Sequence, residues 1–265
     1  MKSAAHFRLL KHYVALTIAA SCALSALAQD TNALAPVITP YSEIVSNLPG
    51  KGPAQKGAWF DKIWKERRAN FASHRETDRG AVVFFGDSIT QGLGTPIRLF
   101  PGLKTANRGI GGDTTRGLLY RMQEDVLDLH PVAIVLLIGT NDLDIGADPE
   151  DAAANIRDIL AAIKKSNSKT PVIVCQVMPS SATKHRPADK IKKLNALVDE
   201  AISGDPQFIR CDTWSIYADE NGDAKKEEFP DLLHPNTAGY AKWKAALDPI
   251  FAKLNFIPAE SKPAN

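Results

Sequence analysis

The chain has 265 residues, of which 44% are hydrophobic and 23% are charged, with 17 glycines and 17 prolines. These proportions are typical of a globular domain, and they exclude a mainly disordered, coiled-coil or collagen-like chain. The formal net charge of +2 falls to −1 if residues 1–28, which hold three basic residues and no acid, are removed, so the composition does not indicate nucleic acid or an anionic membrane as a partner.

The N-terminus has the features of a secretory signal peptide. After the basic residues, residues 13–28 carry no charge, and this run is shorter than the about 20 apolar residues of a membrane-spanning helix. It ends in Ala26-Leu27-Ala28, a small-x-small cleavage site. We predict a signal peptide at 1–28 and an exported mature chain, periplasmic or extracellular, without stable membrane insertion. An uncleaved anchor, or a lipid anchor on Cys22 in an imperfect lipoprotein box, are the alternatives.

The next segments connect this signal to the main domain. Residues 29–57 are rich in Pro, Ala, Ser and Gly without sustained periodicity, which predicts an extended tether or a strap over the surface. Residues 58–80 are predicted as a docking helix and linker. The helix carries an apolar stripe at helical spacing, formed by Trp59, Phe60, Ile63, Trp64 and Phe71. We expect this stripe to pack on the core, and ligand binding is the alternative.

From residue 81, predicted strands and helices alternate. The strands are short apolar runs at 81–85, 103–107, 132–138, 172–177 and 208–211, and the helices fill 114–128, 149–165, 187–203 and 237–253. This alternation predicts a parallel sheet covered on both faces. Asp148 is predicted to cap the second of these helices, with Pro149 in its first turn. Residues 258–265 are predicted as a loose tail.

Two cysteines remain after residue 28, each inside a predicted buried strand. An exported protein can form disulfides, but neighbouring strands of one sheet rarely bring two cysteines to bridging geometry. We therefore expect Cys175 and Cys211 to be buried thiols.

A serine follows the first predicted strand directly, in Gly86-Asp87-Ser88. Ligands bind beyond the carboxyl ends of the strands in open parallel sheets, so Ser88 is placed for chemistry. A helix that starts here would direct N–H groups toward negative charge developing near Ser88. The alternative is an ordinary turn, and Thr90 rules out the Gly-x-Ser-x-Gly elbow of α/β-hydrolases.

The second and third strands end in glycine-rich and asparagine-containing segments. Three glycines in Gly109-Ile110-Gly111-Gly112 let the backbone approach a ligand closely, but this spacing lacks the further residues of nucleotide-binding loops. Asn141 has an amide that can donate to an oxyanion, or it can simply form a turn. Asp142, Asp144 and Asp148 suggest a calcium loop as another alternative, which the apolar residues between them disfavour.

A carboxylate precedes a histidine by three residues in Asp231-Leu232-Leu233-His234. One turn can bring Asp231 to Nδ1 of His234 and leave Nε2 free for a serine hydroxyl, which is the base and orienting group of nucleophilic serine catalysis. Alone, this common pattern favours a structural role over a catalytic one.

Together the four segments resemble the SGNH (GDSL) hydrolase superfamily, whose blocks centre on Ser, Gly, Asn and His. The matching residues are Ser88, Gly112, Asn141 and His234, with Asp231 in the fifth role. The resemblance covers about residues 80–253, and we predict a hydrolase domain at 81–257. The stretches NRGIGGDTTRGLLYRM, IVLLIGTND and DLLHPNTAGYAKW are most similar to catalytic subunits of platelet-activating-factor acetylhydrolase and their bacterial relatives. Asp142 departs from the second Asn that those subunits often carry.

The resemblance implies a flavodoxin-like three-layer α/β/α fold with a five-stranded parallel sheet of order 2-1-3-4-5, and no metal or organic cofactor. It also implies that Ser88 attacks an ester carbonyl, His234 transfers the proton and Asp231 holds the imidazole. The backbone N–H groups of Ser88 and Gly112 and the side chain of Asn141 would form the oxyanion hole.

The resemblance favours an acetyl or other short acyl group, and O-acetylated carbohydrate is the first expectation for the substrate. A lipase, lysophospholipase or thioesterase could use the same residues, as could an acyltransferase, and a non-catalytic glycan-binding protein of this fold is the alternative from another class. Trp214 and Tyr217 follow the fifth strand and either stack on a sugar or pack in the core. Residues 184–186 (Lys-His-Arg) either contact the leaving group or form a solvated loop.

Overall fold

The structure is a computed structural model that describes residues 37–94 and 98–256. The predicted signal peptide at 1–28, the first part of the segment 29–57 and the predicted tail at 258–265 lie outside the described residues. Within the described ranges, no helix is both long and apolar enough to cross a membrane.

A five-stranded parallel sheet forms the centre of the fold. The strands are β1 (Val82–Gly86), β2 (Thr105–Gly109), β3 (Ala133–Leu137), β4 (Val172–Cys175) and β5 (Phe208–Cys211). They pair in the order β2-β1-β3-β4-β5, which confirms the predicted sheet. Every residue of β1 and β3 is buried, because apolar layers cover both faces of a parallel sheet.

Helices cover the two faces of the sheet. They are α1 (Tyr41–Ile44), α2 (Ala58–Ser73), α3 (Ser88–Gly92), α4 (Thr115–Asp125), α5 (Thr140–Asp144), α6 (Pro149–Ser166), α7 (Ala188–Ile202) and α8 (Thr237–Lys253). On one face, α4, α6 and α7 form one apolar core with the sheet, which includes Val83 and Phe85 of β1. On the other face, α3 and α8 pack on Val82 and Phe84. The predicted three-layer, flavodoxin-like fold is therefore confirmed.

Strand β2 begins and ends two residues later than predicted, at Thr105–Gly109 instead of 103–107. The prediction followed apolar residues, whereas the strand continues through polar ones. Arg108 is only 3% exposed, because its guanidinium forms an ion pair with Asp78 and donates to the carbonyl oxygen of Asp125. A charge with such partners can lie inside a strand.

Part of the N-terminal segment is helical and packed, which corresponds to a strap over the surface and not to an extended tether. Residues 41–47 form α1 and a following 3₁₀ turn. Tyr41, Ile44 and Leu48 are buried in a small core with Phe60 and Trp64 of α2. Their spacing matches one face of a short helix, too brief to stand out as a periodic pattern among prolines and glycines.

Two smaller expectations concern local structure. Asp148 is the N-cap residue of α6 and Pro149 lies in the first turn, but the Asp148 side chain makes no capping hydrogen bond. Its backbone carbonyl accepts from the next turn instead. Cys175 and Cys211 are direct partners in the register of β4 and β5, and both are buried free thiols.

Candidate active site

The ends of three neighbouring strands bring the predicted segments together. Gly86, at the end of β1, lies beside Gly109 of β2 and Leu137 of β3 in the register of the sheet. Because the strands are parallel, the segments that carry Ser88, the glycine-rich loop and Asn141 leave the sheet at the same carboxyl edge.

Ser88 is the first residue of α3, which follows β1 through a tight turn. A Cβ atom on Gly86 would lie 2.2 Å from the carbonyl oxygen of Leu137, so the turn requires glycine there. Asp87 caps α3, since its Oδ1 accepts from the amide of Ile89 at 2.9 Å. These contacts fix the backbone that presents the Ser88 hydroxyl.

His234 and Asp231 lie next to this hydroxyl. The distance from His234 Nε2 to Ser88 Oγ is 3.0 Å, and the distance from His234 Nδ1 to Asp231 Oδ2 is 2.7 Å. An ionised carboxylate only accepts hydrogen bonds, so Nδ1 of the neutral imidazole carries the proton and Nε2 can accept from the serine. The three side chains thus have the arrangement of a nucleophile, a base and a group that orients the base.

The backbone holds Asp231 as well. Its Oδ1 accepts from the amides of Leu233 and His234 at 3.0 and 2.7 Å, in a loop where Leu232 adopts a φ of 62°. Partial burial raises the pKa of Asp231, but hydrogen bonds from His234 and Leu233 lower it more, to about 2. Asp231 is therefore ionised at neutral pH, where its oxygens accept the hydrogen bonds from His234 and Leu233.

Two of the predicted oxyanion donors are backbone amides. Gly112 is the third residue of a turn closed by the hydrogen bond from Asp113 N to the carbonyl oxygen of Ile110. Its φ of 83° favours glycine. Within residues 37–94 and 98–256, the N–H groups of Ser88 and Gly112 donate to no other protein group. Both therefore stay available for a substrate oxygen.

The third predicted donor, the Asn141 amide, is held in one orientation. Its Nδ2 donates one hydrogen to the carbonyl oxygen of Asp113 at 2.9 Å, which leaves the second hydrogen for another acceptor. Its Oδ1 accepts from Arg186 Nη2 at 3.0 Å. Arg186 in turn donates through Nε to the carbonyl oxygen of Thr140 at 3.0 Å.

Arg186 was predicted to follow the fourth strand at this edge, but its burial and its contact with Asn141 were not predicted. It does not lie in a solvated loop, because it is only 4% exposed and also pairs with Asp144 at 3.1 Å. Burial lowers the pKa of Arg186, whereas Asp144 raises it. Only the neighbouring His185 is exposed, with its Nδ1 3.4 Å from the same carboxylate. The basic stretch at 184–186 was the one available signal, and it carries no indication of burial.

A buried ion pair connects the glycine-rich loop to β1. Arg121 Nε lies 2.7 Å from Asp113 Oδ2, and both side chains are fully buried. Arg121 Nη2 also donates to the carbonyl oxygen of Gly86 at 2.9 Å. The segments before Ser88 and after Gly112 are therefore joined by charge-assisted hydrogen bonds.

A second set of hydrogen bonds extends from the site to the N-terminal segment. Asp142 accepts from the amide and the hydroxyl of Thr115, the latter at 2.6 Å. Asn155 Nδ2 donates to the same hydroxyl, and Asn155 Oδ1 accepts from the amide of Lys51 at 2.7 Å. Asp142 and Asp144, considered above as calcium ligands, thus both have partners within the protein.

Neither of the two aromatic residues that follow β5 has a fully exposed ring on which a sugar could stack. Tyr217 is fully buried, and its hydroxyl donates to the carbonyl oxygen of Gly239. Trp214 is half-buried and packs against the core. Tyr217 therefore packs in the core, and Trp214 packs against the core while remaining partly exposed.

Asp87 gives the site a pH-dependent contribution to stability. Burial raises the pKa of Asp87 from 3.8 to about 7, and within the described residues its Oδ2 has no hydrogen-bond partner. Between these two values the folded state keeps a proton that the unfolded chain releases. This contribution to stability is therefore full below the lower value and is lost as the pH rises through the window.

We expect Asp87→Asn to remove this dependence, because the amide oxygen keeps the bond to Ile89 and the side chain no longer ionises. The melting temperature of the variant minus that of the wild type should increase as the pH is raised from about 5 to about 8. Thermal unfolding followed by circular dichroism at both pH values measures this increase. A difference between the two proteins that stays constant with pH would contradict the prediction. Asp113 and Asp142, two further buried carboxylates whose pKa values burial also raises, are present in both proteins.

Comparison with known proteins adds to this geometry. Residues 84–242 match the model of the GDSL-like Lipase/Acylhydrolase family. The platelet-activating factor acetylhydrolase IB subunit alpha1 of Pongo abelii is 28% identical over 200 residues, which cover 73% of this chain and 85% of that protein. The subunit alpha2 of Gallus gallus is 28% identical over 209 residues, which cover 77% and 90%.

Solved structures share the fold. The crystal structure of a GDSL-like lipase from Bacteroides thetaiotaomicron is similar, with a TM-score of 0.61 and 25% sequence identity. The superposed region covers 70% of this chain and 98% of the lipase chain. The matched segment of the family model begins inside β1 and ends inside α8, so it contains the end of β1, the other four strands and every predicted site residue.

Proposed function

Because the chain belongs to the GDSL-like lipase/acylhydrolase family, we propose that it is a secreted serine esterase that removes short acyl groups, acetyl first of all, from O-acylated carbohydrate. Membership in the family makes it an ester-cleaving hydrolase. The proposal concerns the catalytic residues, the acyl group, the alcohol and the location.

One observation supports the catalytic assignment above all, namely the 3.0 Å between Ser88 Oγ and His234 Nε2. The Ser88 oxygen attacks the ester carbonyl carbon while its proton moves to Nε2, and Asp231 stabilises the imidazolium. The oxyanion of the tetrahedral intermediate accepts from the amides of Ser88 and Gly112 and from Asn141. The leaving alcohol takes the proton from Nε2. Water then attacks the acyl-enzyme by the same route and releases the carboxylic acid.

Two observations favour the substrate class. The named relatives are acetylhydrolases, which supports a small acyl group. The side chains of His234 and Asp231 are 44% and 47% exposed, so the reaction centre opens at the surface. An open centre suits an ester carried by a large, hydrated alcohol such as a carbohydrate.

A series of p-nitrophenyl esters of increasing acyl length tests the acyl group. We expect kcat/KM to be highest for acetate and to fall by at least about tenfold by eight carbons, since each methylene that a site cannot accommodate costs on the order of 1 kcal/mol or more. Acetate release from a panel of acetylated oligosaccharides tests the alcohol. A maximum at about eight carbons or longer would instead indicate a lipase, lysophospholipase or thioesterase.

The proposed export depends on residues 1–28 of the sequence. An exported protein whose first residue is Gln29, found by mass spectrometry, is the expected product of cleavage after Ala28. A cell-associated protein with an intact N-terminus would contradict it.

A further inference from the structure

Trp59, near the start of α2, is the most exposed aromatic side chain in the described part of the chain. It is 57% exposed, whereas Phe60 and Trp64 of the same helix are fully buried. The predicted aromatic stripe of α2 is thus divided between core packing and an open indole. A large apolar side chain left in water gives up the stabilisation of burial, about 25 cal/mol for each Å².

The indole is held at both of its edges. A Cβ atom on Gly57 would lie 3.0 Å from Cδ1 and Nε1, and a Cβ atom on Gly112 would lie 2.4 Å from Cη2. Phe60 packs against the ring edge-to-face, with centroids 5.6 Å apart, and Phe60 itself is anchored on Tyr41. The glycines leave space for the indole, and the buried aromatics fix its position.

This position borders the proposed oxyanion hole. Trp59 contacts Gly112, whose N–H is a predicted oxyanion donor, and the carbonyl oxygen of Gly112 accepts from Gln55 in the N-terminal segment. At the adjacent Gly111, a Cβ atom would lie 3.2 Å from Ile63 of α2 and 3.8 Å from the Cβ of Ser88. Helix α2 and the nucleophile therefore both lie beside the glycine-rich loop.

We propose that the indole of Trp59 is a stacking subsite for the sugar ring that carries the acyl group. This inference rests on the proposed function, because it assigns the alcohol part of the same ester. A bound ester places its carbonyl oxygen at the Gly112 N–H, and only the ester oxygen separates the carbonyl carbon from the sugar. The sugar is thus close to the residue that Trp59 contacts.

The chemistry of the two surfaces is complementary. A pyranose ring has an apolar face of C–H groups, which carry partial positive charge, and the indole face is the negative part of its quadrupole. A rigid tryptophan presents this surface at little conformational cost. An acetyl ester of a small phenol lacks such a face, so it gains less from Trp59.

The test compares two substrates in the full-length protein. We compare the ratio of kcat/KM on the best acetylated oligosaccharide of the panel to kcat/KM on p-nitrophenyl acetate. We expect Trp59→Ala to lower this ratio about tenfold, chiefly because KM for the oligosaccharide rises. Trp59→Phe should restore most of the difference, because it keeps an aromatic face. Tyr120→Ala, which removes another exposed aromatic residue, is the matched control and should leave the ratio unchanged.

Binding without turnover gives a second measurement. In the Ser88→Ala background, Trp59→Ala should raise the calorimetric Kd of the acetylated oligosaccharide about tenfold. An equal loss on both substrates, or no loss on either, would overturn the subsite while the esterase proposal stands. A wild-type protein that cleaves p-nitrophenyl acetate but no acetylated oligosaccharide would overturn both the carbohydrate assignment and the subsite.

Discussion

Replacing Ser88 with alanine is expected to abolish ester hydrolysis, with a loss in kcat on the order of 10⁴-fold or more. The substitution removes the one oxygen that lies within hydrogen-bond distance of His234 Nε2 among the described residues. Without that oxygen no acyl-enzyme forms, and the oxyanion donors can assist only direct attack by water. Turnover of p-nitrophenyl acetate measures the loss.

Covalent labelling by a fluorophosphonate probe tests the same residue independently of turnover. The wild type should be labelled and Ser88→Ala should not. Ser215→Ala is the matched control, because Ser215 follows β5 at the same edge of the sheet, where its hydroxyl bonds to Asp212. Labelling that persists in Ser88→Ala would show that another residue is the nucleophile. An unlabelled wild type would favour the non-catalytic, glycan-binding alternative.

The second large effect is expected at Asn141. Asn141→Ala should lower kcat by on the order of 10²–10³, the usual loss for one oxyanion donor, with a small change in KM. Asn141→Asp is the sharper variant, since it keeps the oxygen that accepts from Arg186 but has no N–H₂ to donate. Full activity in either variant would contradict the oxyanion assignment.

Arg186 allows this assignment to be checked by a double-mutant cycle. If Arg186 acts by orienting the Asn141 amide, Arg186→Met should lower kcat by about tenfold in the wild type and cause little further loss when Asn141 is already alanine. Steady-state kinetics of the two single variants and the double variant measure the coupling. Losses that simply add would mean that Arg186 affects activity by another route.

The residues that follow strand ends were predictable from the sequence. Ser88, Gly112 and Asn141 each come after an apolar run, and the chain direction of a parallel sheet brings such positions to one edge. Asp231 and His234 were predictable as a pair because their separation of three residues allows contact within one turn. The structure brings these five residues to the same place, and their catalytic roles stay predictions.

Residues that act through long-range contacts were not predictable. The contact of Arg186 with Asn141 spans 45 positions of sequence, and nothing in a loop sequence indicates which arginine will be buried. Trp59 illustrates the same limit within one helix. It lies next to Phe60 in sequence, but successive helix residues point about 100° apart. The predicted stripe included both residues and was therefore wider than the face of α2 that packs on the core, which leaves Trp59 exposed.

The hydrogen bonds from Asp142 through Thr115 and Asn155 to Lys51 have a practical consequence for protein engineering. The match to the family begins at residue 84, and a deletion series guided by that boundary would discard residue 51 and the whole of α2. Such truncations would strip away the partner of Asn155 and the helix beside the glycine-rich loop. We therefore expect the smallest stable catalytic fragment to include Lys51 and α2, and so to be longer than the segment that the family model matches.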